Sequence, residues 1–342
     1  MRPIRALGLL SGGLDSALAA RLLLDQGIEV VGLHLDSPVA CRSDVRALAR
    51  ELGIRLEVRD KGREYLRLLR DPRHGYGRHM NPCVDCRIFM FQMGRAYLDE
   101  FGAGFLFTGE VLAQRPMSQT ARALALIDRR AGLEGWVLRP LSARRLAETE
   151  PERRGWVDRA RLLGLVGRSR DVQLELAARH GLRHHASPGG GCLLTDAAFS
   201  GRLRELFART RDADLDESDV RLLSIGRHLR VRPDLTLVVG RHALENQALA
   251  AQVSARRWLI EPVGFRGPVV LACGPRDPDA VARALRALAA YAPDASRGAA
   301  VRLRHAGGAY ALRLTDVGQP VAPQTPGRPA VNPEPAPAGA AS

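Results

Sequence analysis

Six residues near the start, Ser11-Gly12-Gly13-Leu14-Asp15-Ser16, constrain this chain most. Ile4 to Leu10 reads as a short buried strand, and Ala17 to Leu24 carries apolar residues at helical spacing. The two glycines therefore fall at the turn between a first strand and a first helix. A helix start is an anion site, because its free N–H groups and the positive end of its dipole point at whatever lies in front, and glycine lets a ligand approach the backbone closely. Ser11 and Ser16 add hydroxyls. Asp15 is out of place beside a polyanion unless a divalent cation bridges the two, which points to a nucleotide with magnesium. The segment has neither the Gly-Lys-Ser/Thr ending of a Walker loop nor the spacing of a dinucleotide fingerprint.

Downstream the pattern repeats. Ile28 to Leu35 predicts a second strand, Asp44 to Leu52 a helix stopped by Gly53, and Ile54 to Val58 a third strand. A helix from about Val84 to Phe101 ends at Gly102, and Gly104 to Thr108 makes a strand leading into Thr108-Gly109-Glu110. This is the rhythm of a doubly wound, mostly parallel α/β sheet, in which ligands collect at the carboxyl ends of strands. Ser11 to Ser16, the end of the second strand near His34 and Asp36, and the loop at Gly109 should face one cleft. Asp171 to His180 predicts a further helix, after which Ser187-Pro188-Gly189-Gly190-Gly191 breaks the pattern. We expect a first domain over residues 1–185, a second, smaller α/β domain over 186–316, and a disordered tail rich in proline and alanine over 317–342. The second domain should hold strands around Leu235 to Val239, Val269 to Ala272, Ala299 to Leu303 and Ala309 to Leu314, with a helix at Pro278 to Tyr291.

No apolar run approaches the roughly 18 residues of a membrane helix, and no signal-peptide pattern precedes the first strand, so a cytoplasmic protein is expected. The formal charge of +14 suits a polyanion such as RNA. Lys61 is the only lysine among 51 basic residues, a sign of coding bias, yet exchanging lysine for arginine leaves the net charge unchanged.

Five cysteines in such a chain argue for metal or catalysis rather than a disulfide framework. Cys41 and Cys273 are isolated and read as small buried hydrophobes. Cys83-Val84-Asp85-Cys86 follows Asn81-Pro82 at a helix start, where the dipole stabilises a thiolate. Cys192, directly after three glycines, is the natural third partner. A Cys-x-x-Cys pair plus one distant cysteine can hold a 4Fe–4S cluster by three irons, leaving the fourth open to sulfide. Alternatively, Cys86 and Cys192 act as a nucleophile and a persulfide carrier.

Ser-Gly-Gly-x-Asp-Ser resembles the PP-loop of the ATP pyrophosphatase superfamily, the adenine nucleotide alpha hydrolase-like enzymes that split ATP to AMP and pyrophosphate. Together with Asn81 to Cys86 and the run from Thr108 to Gln119, it is similar to the tRNA thiolation enzymes, both 4-thiouridine synthetases and tRNA 2-thiouridylases. Gly167-Arg168-Ser169-Arg170 and Ser187 to Thr195 further resemble thiouridine synthetase-like hydrolases whose second domain looks like the RNA-binding module of the NFACT proteins. The resemblance implies ATP-dependent tRNA thiolation through an adenylated uridine. It implies ATP, Mg2+ and a 4Fe–4S cluster as cofactors, with tRNA and a sulfur donor (a cysteine desulfurase or free sulfide) as partners. A homodimer is left open.

The candidate site residues are Cys86, Cys192 and Asp15 for catalysis, and Ser11, Gly12, Gly13, Asp15 and Ser16 for the nucleotide, with His34 and Gly109 added by their place at the strand ends. Cys83, Cys86 and Cys192 would be the cluster ligands. Arg115, Arg168 and Arg170 are candidates for RNA backbone contacts. Two other readings stay open: adenylation of a small molecule, which leaves the three cysteines unexplained, and nucleotide-responsive RNA binding without turnover.

Overall fold

A computed structural model of the chain describes residues 4–40, 44–184, 192–293, 295–296 and 298–314. The described chain forms two compact units, residues 1–221 and 222–342. Cys41, the glycine run 187–191 and the expected tail from residue 317 lie outside the described residues.

In the first unit the elements run β1 (Arg5–Leu9), α1 (Leu14–Leu24), β2 (Glu29–Asp36), α2 (Val45–Leu52), β3 (Arg55–Asp60), α3 (Gly62–Arg70) and α4 (Cys83–Phe101). They continue with β4 (Phe105–Thr108), α5 (Ala121–Ala131), β5 (Val137–Leu138), α6 (Glu150–Arg153), α7 (Asp171–Arg179), α8 (Ala197–Arg209) and α9 (Glu217–Leu222), whose last residue passes into the second unit. The strands form one parallel sheet in the order β3-β2-β1-β4-β5. Alternate side chains leave opposite faces of each strand. Ala6, Val30 and Phe107 join α1 and α2 on one face through Leu18, Leu23 and Leu48. Leu7, Val31, Leu33 and Leu106 meet Phe91 and Phe101 of α4 and Ile127 of α5 on the other. Helices on both faces make the sheet doubly wound, as the sequence predicts, and place a switch point between β1 and β4, where the strand order reverses.

The first unit runs on past residue 185 through α8. Met80 N–H donates to the Leu194 carbonyl at 3.2 Å, and Arg70 donates to the Thr210 carbonyl at 2.6 Å and pairs with Asp212. These bonds tie the Cys192 segment and the end of α8 back to the loops around α3.

The second unit holds β6 (Arg227–Arg232), β7 (Leu235–Val239), α10 (Ala243–Ala250), β8 (Arg257–Pro262), β9 (Val270–Cys273), α11 (Pro278–Ala290), β10 (Ala300–His305) and β11 (Gly308–Arg313). Its six strands pair in the order β11-β10-β8-β9-β7-β6, every pair antiparallel. The expected smaller α/β domain is therefore an antiparallel sheet with helices, and it contains β6 and β8, which the sequence reading passed over. Leu235, Leu237, Val301 and Leu303 lie under α11, while Val238, Leu259 and Leu271 lie under α10. Cys273, half-buried at the end of β9, packs beside this second cluster.

Candidate active site

The phosphate turn opens where β1 ends. Gly12 sits at φ 74°, in the left-handed region that a side chain resists, and Gly13 caps α1 without any side-chain bond. The turn is braced from within. Ser16 Oγ donates to the Gly13 carbonyl at 2.8 Å and lies 3.3 Å from Ser11 Oγ, which accepts from Gly13 N–H at 3.3 Å. His34, at the end of β2, donates from Nδ1 to the Leu10 carbonyl at 2.8 Å and holds the strand end that feeds the turn. Its structural contact is therefore with backbone, and its Nε2 is the ring atom left to meet a ligand.

Gly109 adds a second wall. A Cβ there would stand 2.4 Å from the Asp15 carbonyl carbon and the Ser16 nitrogen, so the β4 loop lies directly on the first turn of α1. Only glycine permits that approach. Glu110, next along, is 2% exposed and joins a buried ion network. Arg139 gives it a bond of 3.0 Å and clasps Asp128 with bonds of 2.8 and 2.7 Å, while Arg87 of α4 reaches Glu110 at 3.4 Å. Burial disfavours the charged Arg139, but the two carboxylates outweigh it and hold the guanidinium firmly protonated. This network locks the helix that carries Cys86 to the loop that carries Gly109.

Asp15 points into the space so defined. One carboxylate oxygen accepts from Gln114 Nε2 at 3.1 Å and stands 3.8 Å from Arg170, while Oδ1 is buried with no hydrogen-bond partner. A buried carboxylate oxygen without a donor is costly unless a ligand supplies one. Mg2+ is commonly held by one or two carboxylates plus substrate phosphates, so this oxygen fits the expected cation.

Cys86 lies against Tyr65, and Cys83 and Cys192 are near enough to act on that phenol through charge. Tyr65, in α3, is 2% exposed, and its hydroxyl lies 3.2 Å from Cys86 Sγ. Burial, and then charge on Cys86, Cys192 and Cys83 in turn, pushes the phenol well above its usual range. It keeps its proton and donates to Cys86 whenever that sulfur is a thiolate. Cys83 donates to Asn81 Oδ1 at 3.1 Å. Burial raises its thiol above the ordinary value, against the lowering pull of Arg87 and Arg115, so it is not the thiolate that a helix start alone suggested. Cys192 Sγ lies 3.8 Å from the Val39 carbonyl.

Arg115 lies near enough to Cys83 to favour its thiolate electrostatically. It also senses Arg87, Cys192 and Arg170. Arg170, half-buried, faces the Asp15 carboxylate, whereas Arg115 and Arg168 are exposed. Tyr65, Arg87 and Arg139 went unnoticed in the sequence. Tyr65 had one signal, its place beside the buried Leu66 and Leu69 of an amphipathic helix. Among the described residues, no group of three or more His, Cys, Asp or Glu side chains is placed to hold a metal ion. The geometry therefore lends the cluster expectation no support.

Comparison with known proteins matches each unit to a family. Residues 4–145 match the family model described as thiamine biosynthesis protein (ThiI), and residues 226–314 match the NFACT protein RNA binding domain. A tRNA-specific 2-thiouridylase MnmA of Syntrophotalea carbinolica is 38% identical over 115 residues, covering 29% of this chain and 32% of that protein. A probable tRNA sulfurtransferase of Methanothermobacter thermautotrophicus is 28% identical over 144 residues, covering 40% of this chain and 36% of that protein. The chain thus spans about a third of the length of these relatives. Among solved structures, a 4-thiouridine synthetase in complex with RNA and ATP aligns at 20% identity and a TM-score of 0.38, over 64% of this chain and 52% of that one. That likeness is too loose to carry an argument. The stretch that carries the phosphate turn and the Cys83–Cys86 pair is thus similar to the ThiI family, and the antiparallel unit is similar to the NFACT protein RNA binding domain.

Proposed function

We propose that this chain is an ATP-dependent tRNA sulfurtransferase. The supporting observation is the contact of Cys86 with Tyr65, with Cys83 and Cys192 from two distant parts of the chain near enough to act on the same phenol, and Arg170 beside Asp15 at the phosphate turn. The ThiI match on the first unit and the RNA-binding match on the second favour the same reading.

Chemistry at the turn begins with a uridine carbonyl oxygen. It attacks the α-phosphorus of ATP, the bond to the bridging oxygen breaks, and pyrophosphate leaves while the base becomes adenylated. Ser11, Gly12, Gly13 and Ser16 hold the phosphates, with the start of α1 supplying N–H groups. Mg2+, when bound at Asp15, neutralises charge on the leaving group. Gly109 brings the second loop against the same turn.

Sulfur follows from a persulfide on Cys192, charged by the sulfur donor. Its terminal sulfur attacks the activated carbon and expels AMP, leaving the base joined to Cys192 through a disulfide. Cys86, as thiolate, then attacks the Cys192 sulfur, releases the thiolated base and leaves a Cys86–Cys192 disulfide that a dithiol reduces. Tyr65 donates to Cys86 and Arg115 balances the negative sulfur. Every step uses a described side chain, and no step requires the cluster.

Pyrophosphate release in the presence and absence of tRNA transcripts tests this. Release should depend on tRNA and fall about 100-fold in Asp15→Asn, a loss of the size seen when one charge-stabilising group is removed. Release that ignores tRNA would favour a small-molecule substrate instead.

A further inference from the structure

We propose that one face of the β10–β11 hairpin is the RNA-backbone docking surface of the second unit. This rests on the reading above that the chain acts on RNA, and it names the side chains that do the holding.

Residues 226–314 contain fourteen arginines and six carboxylates, a balance of +8 out of +14 for the whole chain. Over half of the excess charge therefore falls in about a quarter of the length. Most of the carboxylates are already committed. Arg232 gathers Asp234, Asp277 and Asp279, and Arg241 clasps Glu245. The question is where the remaining positive charge meets solvent on a surface flat enough for a strand.

Register answers it. Ala300 faces Arg313, Arg302 faces Ala311, and Arg304 faces Ala309, so these six side chains share one face of the hairpin. The opposite face turns Val301, Leu303 and Leu312 into the core under α11. On the proposed face, α10 covers Val238, Leu259 and Leu271 of the central strands, and the cluster does not extend to β10 and β11. Arg302, Ala309, Ala311 and Arg313 are exposed.

Three guanidiniums thus rise from a floor of alanines. Alternate residues on a strand are about 6.6 Å apart and adjacent strands about 4.8 Å, so the charges form a compact row with nothing larger than a methyl group between them. A phosphodiester backbone can lie against such a floor, and guanidinium forks match phosphate oxygens. Among the described residues the carboxylate paired with this row is Glu261 of β8, shared between Arg302 at 3.3 Å and Arg304 at 3.5 Å. One carboxylate orients Arg302 and Arg304 without neutralising both, and Arg313 donates to the Gly298 carbonyl at 3.2 Å, which leaves its charge intact. The surface carries no base-reading pattern, so the binding is to backbone and indifferent to sequence.

The test is tRNA binding to the full chain by fluorescence anisotropy across a salt series. Combined Arg302→Ala, Arg304→Ala and Arg313→Ala should weaken binding about tenfold or more and flatten the plot of log affinity against log salt by about two to three units. Glu261→Gln should tighten it a few-fold. Arg286→Ala, which removes an exposed arginine from α11 on the other face, should change little, and unaltered melting of each variant guards against misfolding. Unchanged affinity and slope in the triple variant would overturn the proposal, as would a loss in Arg286→Ala as large as in the triple variant. A wild-type chain that binds no tRNA would sink the wider reading. Binding that survives the triple variant sinks this inference alone.

Discussion

Tyr65 decides how the thiols behave. A phenol that keeps its proton and lies 3.2 Å from Cys86 donates to that sulfur when it is a thiolate, whereas Cys83 is bonded to Asn81 and raised by burial. Alkylation of Cys83 by iodoacetamide should accordingly rise only above the pH at which an ordinary free thiol reacts, near 8.5. Arg115 lowers the Cys83 value, so Arg115→Met should move that profile to still higher pH. A profile that moves down, or stays where it was, contradicts the electrostatics described. Arg139 makes a different kind of demand, because its two carboxylate partners are buried with it. Arg139→Met leaves Asp128 without its cation and Glu110 with only the longer contact to Arg87, and urea unfolding should show a loss of about 3–5 kcal/mol. A neutral result would mean that the carboxylates take up protons at little cost.

Much of the first unit was legible because punctuation coincides with its elements. Gly53 and Gly102 stop α2 and α4 in left-handed caps, Asp44 caps α2 through Ala47 N–H, and the Gly12-Gly13 turn stands between β1 and α1. Other elements carried no such marks. β6 alternates Arg and His with Leu and Val, which reads as charged surface, and β8 starts on Arg257 and ends on Pro262. α3 is mostly Arg, Glu and Leu, and its purpose shows only when Tyr65 is seen beside Cys86. The ion network was hidden for a related reason: Arg87, Glu110, Asp128 and Arg139 are far apart in sequence and give no local signal. The clearest element-level test is Gly109→Ala. Its methyl would push the β4 loop off the first turn of α1, so pyrophosphate release should drop about tenfold or more while the melting temperature moves little. Full activity in that variant would mean that the two loops need not touch.

Across the whole chain, a parallel unit with the glycine turn at the end of β1 is joined to an antiparallel unit whose residues 226–314 carry +8 of the net +14. Among the described residues no helix is long and apolar enough to cross a membrane. The division of labour follows from sheet type. A doubly wound sheet opens a cleft at its switch point, where chemistry can be sheltered, whereas an antiparallel sheet can leave part of one face to solvent. Mass spectrometry of nucleosides from tRNA incubated with the purified chain, ATP, Mg2+ and a persulfide donor puts the sulfur-transfer reading to trial. One thiolated uridine should appear with the wild-type chain, and none with Cys86→Ser or Cys192→Ser, while both variants still release pyrophosphate. Thiolated uridine formed equally well by both serine variants would show that the sulfur does not travel through Cys86 and Cys192.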